Sequence, residues 1–376
     1  MKKKSSKLSA DESKLLTKVM TMGLGTNLPV IMSGSELAKL IGVIYHDTEC
    51  GNELKELKPE LWKKIAPDKD YYDLPETWFL APIDLHPEEH VELMKLGEEH
   101  IEDFTTYLRC LSELHKRRRK YQKILSAQPM PTMIQVSPRS LVEYGTHEPE
   151  ALASWLTWRK FFYDLDNRSA QETGYLFEPI LAAAIGGEGK SARTKVVTRS
   201  GDATKGRQVD CWKVLPNGQT LAYEFKLRVT IAASGQGRFG EELQFAEDAF
   251  NSGATPILIV LDPTMNPRLE VLQKAFEAKG GRAYLGEDAW AHLEEQAGDV
   301  MSRFIEKYVR RPIEAISLFE MGDDGANKNI DLLDLHASVQ KNRIFFRLGS
   351  HERTIIRHED PSLSTDDDEE TATIEL

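Results

Sequence analysis

Residues 207–226 read RQVDCWKVLPNGQTLAYEFK, and this stretch decides how the centre of the chain folds. Two segments in which polar and apolar residues alternate flank Pro216-Asn217-Gly218, a pattern typical of two strands joined by a tight turn. Pro216 presets φ for a type I turn, Asn217 tolerates the next position, and Gly218 suits a left-handed residue. A three-residue loop pairs Leu215 with Gln219, which fixes the register of both strands.

Two acidic residues meet in that register. Asp210 lies opposite Glu224, and Lys226 follows on the same face. A loop shorter by one residue would send Asp210 to the other face, so the turn decides the geometry. Opposed carboxylates repel, and a divalent cation is the usual remedy, because Mg²⁺ prefers a few carboxylates together with the phosphate oxygens of a substrate. With a lysine beside them, the group predicts a site for metal-dependent phosphodiester hydrolysis.

Asp210, then thirteen residues, then Glu224-Phe225-Lys226 resembles the signature of the PD-(D/E)XK nuclease superfamily, and the chain looks most like a type II restriction endonuclease. The resemblance covers about residues 169–262. It implies an α/β fold with a PD-(D/E)XK (restriction-endonuclease-like) core, in which helices flank a mixed central sheet, and a large, mostly helical N-terminal region. It also implies that Asp210, Glu224 and the backbone carbonyl of Phe225 hold Mg²⁺, while Lys226 positions or activates the attacking water.

The resemblance further implies an acidic residue on the helix before the hairpin. Glu178 matches that position, and Glu172 is the alternative because Pro179, directly after Glu178, is awkward in a continuous helix. Val209 stands where the signature has proline, a departure from the pattern. A different interpretation remains open, in which these residues form a salt-bridge ladder on an exposed sheet face and Lys226 neutralises its neighbours.

The segment around the hairpin is basic. Residues 190–240 carry ten basic and three acidic residues, a net charge of +7 in a chain whose net charge is -12. Such a segment suits a cleft lined by DNA phosphates, and the glycine-rich loop 234–239 offers glutamine and arginine, which read bases, or is a simple connector. The basic run 116–120 is either a solvated helix end or a phosphate-contacting face. The predicted DNA-binding residues are Arg193, Lys195, Arg207, Arg228, Gln236, Arg238, Gln244 and Arg118.

A rival motif lies just upstream. Residues 184–191 read AIGGEGKS and resemble a relaxed phosphate loop, and the apolar segment 257–261 ends at Asp262. Together they suggest a nucleotide hydrolase that uses Lys190 and Asp262. A phosphate loop needs a strand before it and a helix directly after it. The residues after Ser191 lack helical periodicity, so a helix C-terminus closed by glycines is the preferred interpretation.

The pattern along the chain predicts four regions. Residues 1–140 form a mostly helical N-terminal region for DNA contact or dimerisation, 141–310 the catalytic core, 311–358 a small C-terminal extension, and 359–376 a disordered acidic tail. The predicted helices cover residues 35–41, 87–126, 148–165, 171–185, 240–251, 268–279 and 287–310. The predicted strands cover residues 207–215, 219–228, 256–261, 282–285, 343–348 and 354–357, with strand character also at 194–198.

These observations favour an Mg²⁺-dependent, sequence-specific endonuclease that cuts double-stranded DNA. An enzyme that cuts both strands of a palindrome is expected to be a homodimer, with an interface from helix 87–126 or helix 287–310. A cognate DNA methyltransferase is expected as a genetic partner. The alternatives are a DNA repair or structure-specific nuclease of the same fold and a catalytically inactive DNA-binding module.

Composition limits the remaining classes. Hydrophobic residues make up 40% of the chain, enough for a sizeable core, and no apolar run is long enough to predict a membrane span. The basic start lacks the apolar segment of a secretory signal, and Cys50, Cys110 and Cys211 are too few and too far apart for a disulfide framework or a zinc site. We therefore expect a cytoplasmic protein. Eight acidic residues at 359–376 account for much of the net charge, so acidity does not exclude a local basic site.

Overall fold

The computed structural model describes residues 10–24, 28–85, 87–226, 236–262, 267–317, 319–320, 328–329, 335–358 and 360. The helices are α1 (Ala10–Met20), α2 (Gly34–Asp47), α3 (Gly51–Leu57), α4 (Pro59–Ile65), α5 (Glu76–Leu80), α6 (Pro87–His100), α7 (Phe104–Ala127), α8 (Met133–Val136), α9 (Pro149–Ala184), α10 (Gln236–Asn251), α11 (Pro267–Ala278), α12 (Glu287–Ile305) and α13 (Arg311–Ser317). No helix of this described part is long and apolar enough to cross a lipid bilayer.

The strands are β1 (Thr21–Met22), β2 (Val30–Ile31), β3 (Glu188–Lys190), β4 (Thr198–Arg199), β5 (Asp202–Gly206), β6 (Val209–Val214), β7 (Thr220–Lys226), β8 (Thr255–Val260), β9 (Arg282–Leu285), β10 (Phe319–Glu320), β11 (Lys328–Asn329), β12 (Leu335–Gln340), β13 (Arg343–Leu348) and β14 (His351–Ile356). Short 3₁₀ turns occupy Tyr71–Asp73, Ser137–Val142 and Ala192–Thr194, and a π-helical turn occupies Glu306–Arg310.

The central sheet has five strands in the order β3-β6-β7-β8-β9. The pairs β3–β6 and β6–β7 are antiparallel, whereas β7–β8 and β8–β9 are parallel, so the sheet is mixed. Strands β6 and β7 form the predicted hairpin in the predicted register, with Cys211 opposite Tyr223 and Val214 opposite Thr220. At the turn, the N–H of Leu215 donates to the carbonyl of Gln219, and Gly218 has φ of +84°. The turn chemistry therefore predicted the register correctly.

Helices cover both faces of this sheet. Tyr223, Phe225 and Ile259 point to one face, where they pack with the C-terminal end of α9, with α12 and with the N-terminal helices. The opposite face, which carries Ala222 and Leu258, packs against α10 and α11. The first of these cores contains residues from both sides of the predicted boundary at 140, so the N-terminal helices and the sheet share one hydrophobic interior.

Several predicted helix boundaries are wrong. The predicted helix 87–126 is two helices, because Asp103 adopts the left-handed conformation between α6 and α7, and the ring of Phe104 packs against Gly97. The two helices predicted at 148–165 and 171–185 are one, α9, which continues through Pro179. The predicted helix 287–310 is interrupted at Gly298, which has φ of +72° and ψ of 176°.

The apolar stripe that suggested a dimer interface lies inside the chain. Ile101, Phe104, Leu108 and Leu111 are all buried in the first core, so these side chains have no surface to offer to a second copy. The same holds for the apolar stripe of α12, where Trp290, Leu293 and Phe304 are buried. These stripes hold the helical region to the sheet.

The basic run 116–120 is neither a helix end nor a freely solvated surface. It lies in the second half of α7, where Lys116 and Arg117 are buried. The ammonium group of Lys116 donates to the carbonyls of Lys18 and Thr21, and the guanidinium of Arg119 donates to Glu36 at 2.5 Å. The guanidinium of Arg118 lies 5.0 and 5.1 Å from the ring centroids of Tyr71 and Tyr72. The run therefore ties α7 to the segments around it.

Candidate active site

The hairpin brings Asp210, Glu224 and Lys226 to one end of β6 and β7. The ladder between the strands ends at Cys211, and beyond it the carboxylate of Asp210 accepts a hydrogen bond from the backbone N–H of Phe225 at 2.9 Å. Lys226 Nζ donates to Glu224 Oε1 at 2.6 Å. The loop register thus places the predicted residues side by side, and the backbone of Phe225 lies between the two carboxylates.

Helix α9 supplies the third acidic residue. Glu178 lies one residue before Pro179, and its charge interacts with those of Glu224 and Lys226. Burial and the neighbouring charge of Glu224 raise the pKa of Glu178 to about 7. The structure thus brings Glu178 to the hairpin. The side chain of Glu172 lies outside the described residues.

Helix α10 supplies a fourth acidic residue, which the sequence analysis did not identify. Glu242 Oε1 lies 3.5 Å from Lys226 Nζ, and its other oxygen is buried without a hydrogen-bond partner among the described residues. We call Glu178, Asp210, Glu224, Glu242 and Lys226 the carboxylate cluster. A signal for Glu242 was present, because it lies three, four and seven residues before Phe245, Ala246 and Ala249, the buried stripe of α10. An acidic residue on an apolar stripe is unusual. By contrast, the predicted Gln244 is exposed.

The cluster holds four carboxylates and one ammonium group. Burial, with the charges of Glu224 and Glu178, raises the pKa of Asp210 well above its usual range. Burial alone would lower the pKa of Lys226, but the charges of Glu224, Asp210 and Glu242 outweigh it and raise the pKa. The side chains of Glu224 and Lys226 are only 17% and 22% exposed, which contradicts the alternative of a ladder on an exposed sheet face. The cluster is a partly buried, acid-rich pocket.

The cluster fits a divalent cation by its chemistry. All its acidic groups are oxygen ligands of the kind that Mg²⁺ prefers. Burial and the neighbouring negative charges raise the pKa values of Glu178 and Asp210, and one buried oxygen of Glu242 lacks a partner among the described residues. Lys226 alone cannot neutralise four carboxylates. A cation between Asp210 and Glu224 would remove the repulsion that the structure shows.

A second acidic group lies far along the chain, in the helical region. Ligand atoms of His46, Asp47 and Asp70 lie within 4.8 Å of one another. Among the described residues no other three potential ligands lie this close, so the acidic groups of the carboxylate cluster are more widely spaced. Lys307 Nζ already contacts both carboxylates, at 2.5 and 2.7 Å, and Arg311 contacts Asp70 at 3.2 Å. A divalent cation would have to displace Lys307, so these residues form an ion-pair network between α2 and the π-helical turn.

The predicted DNA-binding residues fall into three groups: some are exposed, some are packed against other side chains, and some lie outside the described residues. Arg193 and Lys195 are exposed in and after the 3₁₀ turn 192–194, at the surface beside β3. Arg207 is buried; its guanidinium donates to Asp248 at 2.7 Å and to the carbonyl of Glu241 at 2.8 Å. Arg118 stacks on two tyrosines, as described above. Arg228 and the side chains of Gln236 and Arg238 lie outside the described residues.

Pairing also reduces the charge of the basic segment 190–240. Glu188, Glu241 and Asp248, which lie just outside that segment, form ion pairs with Lys190, Arg199 and Arg207. Within the segment, Lys205 contacts Asp202 at 3.3 Å. Part of the net charge of +7 is therefore neutralised by Glu188, Glu241 and Asp248, of which Glu241 and Asp248 are distant in sequence from the arginines they contact.

The phosphate-loop alternative is wrong. A helix, α9, precedes the motif where a strand is needed, and the N–H of Gly187 closes that helix by donating to the carbonyl of Ala182 at 2.8 Å. Only the three-residue 3₁₀ turn 192–194 follows Lys190, so no helix N-terminus faces a phosphate. Lys190 itself pairs with Glu188.

Comparison with known proteins identifies the family. Residues 43–310 match the model of the ApaLI-like restriction endonucleases. The chain is also 56% identical over 369 residues to the type II restriction enzyme ApaLI of Acetobacter pasteurianus, an alignment that covers 97% of this chain and 98% of the relative. Both matches confirm the predicted resemblance to a restriction endonuclease. The chain therefore belongs to the ApaLI-like restriction endonuclease family.

Proposed function

We propose that this chain is an Mg²⁺-dependent type II restriction enzyme that hydrolyses double-stranded DNA at its carboxylate cluster, on a PD-(D/E)XK core. The observation that carries the proposal is the meeting of Asp210, Glu224 and Lys226 at the end of the hairpin, with Glu178 and Glu242 brought in by two helices. The mixed sheet flanked by helices supports the PD-(D/E)XK assignment, and the family match supports the restriction activity.

Each residue of the cluster has a proposed role. Asp210, Glu224 and the backbone carbonyl of Phe225 would hold the cation, which when bound neutralises phosphate charge and lowers the pKa of a water molecule. The hydrogen bond from Phe225 N–H keeps the Asp210 carboxylate turned toward β7. Lys226 places its positive charge where the scissile phosphate enters and orients the attacking water. Glu178 adds a further carboxylate beside Glu224 and Lys226.

Plasmid cleavage tests this proposal. Supercoiled plasmid is incubated with the enzyme in Mg²⁺, in EDTA, and with the variants Lys226→Ala and Asp47→Asn. We expect discrete fragments in Mg²⁺, no cleavage in EDTA or by Lys226→Ala, and normal cleavage by Asp47→Asn, because Asp47 belongs to the ion-pair network of α2. Cleavage by Lys226→Ala at the wild-type rate, or loss of cleavage in Asp47→Asn alone, would overturn the assignment of the site.

The same plasmid tests the substrate. Digestion in parallel with the relative ApaLI shows whether both enzymes give the same fragments, which is the expected result for a shared recognition sequence. Nicking confined to branched or single-stranded DNA would favour the repair alternative. A neighbouring gene for a DNA methyltransferase, able to protect the same sites, is expected for a restriction enzyme.

We further propose that two copies act together on one duplex, because the described part of the chain holds one carboxylate cluster and a double-strand break needs two hydrolytic events. Exposed apolar side chains are concentrated in residues 133–163, at the N-terminal end of α9 and the segment before it: Met133, Ile134, Leu141, Val142, Tyr144, Trp155, Trp158 and Tyr163, which are 39–88% exposed. At about 150–250 Å² per aromatic side chain, the exposed parts of the four aromatic residues present roughly 300–550 Å². The four aliphatic side chains add to this apolar surface, and each partner buries about 800 Å² in a standard interface.

Sedimentation of the charged variant Ile134→Glu tests this surface. We expect a dimer of the wild type and a shift to monomer in the variant, with single-strand nicks replacing double-strand breaks. Leu57→Glu, at an exposed apolar position outside residues 133–163, serves as the control and should leave the dimer intact. A wild type that stays monomeric, with and without DNA, would refute the proposed dimer.

A further inference from the structure

The C-terminal sheet β12-β13-β14 has an inner and an outer face. Val339, Ile344 and Ile355 form one row of the register, and they pack on Leu125 of α7 and Phe161 of α9 in a small separate core. Because successive side chains of a strand alternate between faces, the residues between them point outward. The packing thus attaches the sheet to two long helices and leaves one face uncovered.

The outer face is centred on an arginine–aromatic–arginine series. Strand β13 carries Arg343, Phe345 and Arg347 on that face, and Ser338 and Thr354 flank Phe345 on the neighbouring strands. Both arginines are exposed and Phe345 is half-buried. We call these five residues the C-terminal basic face. Their chemistry combines two cations, two hydroxyl groups and one apolar ring, and Glu352 lies opposite Arg347 on the same face.

The charge of this segment differs from that of its surroundings. Residues 335–358 contain five basic residues and one acidic residue, a net charge of +4 in a chain whose net charge is -12. The acidic residue, Glu352, lies opposite Arg347 in the register, and Arg343 donates to the amide oxygen of Gln340 at 2.9 Å. In the basic segment 190–240 nearby carboxylates pair with five of the cations. On this face two exposed arginines stand against one acidic residue, Glu352.

Helix α9 joins this face to the carboxylate cluster. Leu165, which packs in the core beneath the sheet, and Glu178 lie on the same continuous helix. Thirteen residues separate them, and at 1.5 Å per residue the distance along the axis is about 20 Å. In B-DNA that length corresponds to roughly 6 base pairs, at about 3.4 Å each. A duplex bound at the cluster is therefore long enough to span the distance to the sheet.

The spacing within the face suits a DNA groove. Arg343 and Arg347 are four residues apart in one strand, so their Cα atoms lie about 14 Å from each other. The major groove is about 12 Å wide and admits a β-ribbon. Two arginines at this separation can reach phosphates on both sides of the groove, while the ring of Phe345 faces the base edges between them.

We propose that the C-terminal basic face is a second DNA-contacting surface, which binds phosphates of the duplex about six base pairs from the cut. The inference rests on the proposed DNA cleavage, and it assigns a role to the sheet that neither the hairpin nor the basic segment 190–240 supplies. The sheet anchors the flanking duplex, and the carboxylate cluster performs the hydrolysis.

Equilibrium binding in EDTA tests the inference separately from catalysis. Affinity for a duplex with the recognition site at its centre is measured from 50 to 200 mM salt for the wild type, for Arg343→Ala/Arg347→Ala, and for Arg303→Ala, an exposed arginine of α12, as control. We expect the double variant to bind about 10- to 100-fold more weakly, with a salt slope smaller by about two, because each phosphate contact contributes about 0.9. The control should match the wild type.

Two further measurements sharpen the result. Arg343→Lys/Arg347→Lys should restore most of the slope, since lysine keeps the charge, and its thermal unfolding shows whether the sheet remains folded. On a duplex trimmed to about four base pairs on either side of the cut, wild type and double alanine variant should bind alike. Equal affinity and slope on the long duplex, or an equal loss in Arg303→Ala, would overturn the inference. Tight binding without cleavage by the wild type in Mg²⁺ would instead point to a failure of the proposed active site.

Discussion

The helical region and the carboxylate cluster both hold buried or partly buried carboxylates, and their surroundings differ in opposite ways. In the helical region, Glu36 is 2% exposed and accepts hydrogen bonds from Ser33 N–H at 2.7 Å and from Arg119 at 2.5 Å, with His115 Nε2 at 3.4 Å. His115 Nδ1 in turn lies 3.0 Å from the hydroxyl of Tyr71. We call these five residues the Glu36 network. In the carboxylate cluster, four acidic groups share one lysine.

The pKa values express the difference. Burial alone would raise the pKa of Glu36, but the hydrogen bonds from His115 and Ser33 and the charge of Arg119 lower it to about 2. In the cluster, burial and like charges raise the pKa of Glu178 to about 7 and that of Asp210 well above its usual range. A buried carboxylate whose partners are complete stabilises the fold, whereas a buried carboxylate without them is ready to bind a cation.

The largest expected effect follows from neutralising the cluster. In Asp210→Asn the amide oxygen can still accept from Phe225 N–H, but one cation ligand and one negative charge are lost. We expect cleavage to fall by on the order of 10³-fold, while the free energy of unfolding stays the same or rises because repulsion is relieved. Plasmid cleavage and urea unfolding measure the two effects. A variant that is less stable than the wild type and still cleaves would show that Asp210 serves the fold and not catalysis.

The opposite result is expected in the Glu36 network. Glu36→Gln leaves Arg119 and the helix α2 N-terminus without their anion, and we expect the free energy of unfolding to fall by about 2–3 kcal/mol. Cleavage by the remaining folded enzyme should be unchanged. Urea unfolding with activity per folded molecule checks both statements, and Glu60→Gln, an exposed residue of α4, is the control.

The pH dependence of that variant has a definite sign. The pKa of Glu36 is lower in the folded state than the ordinary value of 4.5, so its stabilisation is complete above pH 4.5 and is lost as the pH falls toward about 2. The difference in stability between wild type and Glu36→Gln should therefore be constant near neutral pH and shrink below pH 4.5. A difference that grows with acid would contradict the network.

The sequence predicts those features that depend on residues close together in the chain, and it fails for features that depend on contacts between distant residues. The hairpin register and the opposed Asp210 and Glu224 follow from the Pro216–Gly218 turn, because the turn chemistry is local. The Glu36 network and Glu242 depend on which helix faces pack together, and periodicity alone does not specify the partner of a face. The basic run of α7 was predicted to be a solvated helix end or a phosphate-contacting face, and the structure ties it instead to Lys18, Thr21 and Glu36, which lie far away in sequence. Strand β12 was not predicted, although it joins β13 through the short turn at residues 341–342.

Glu242 allows a smaller test of the cluster. It contacts Lys226 from α10, and its second oxygen is buried without a partner among the described residues. In Glu242→Gln we expect the affinity for Mg²⁺ to fall by about 10-fold, as for other groups that orient metal ligands. Titration of cleavage rate against Mg²⁺ measures the shift. Gln244→Ala, an exposed position on the same helix, should titrate as the wild type does, and equal curves for all three proteins would remove Glu242 from the cluster.

Arg118 gives the smallest effect and the finest test of the comparison. It was predicted to bind DNA, yet its guanidinium lies over Tyr71 and Tyr72, next to the Glu36 network. The comparison implies that a charged side chain whose partners all lie within the protein serves the fold. Arg118→Gln should then lower the free energy of unfolding by about 1 kcal/mol through the lost cation–π contacts and leave the salt dependence of DNA affinity unchanged. A salt slope smaller by about one, with stability intact, would place a DNA phosphate at Arg118. In that case a charge can be packed against its own chain and still serve the substrate, because the ring contacts would only orient the guanidinium toward the duplex.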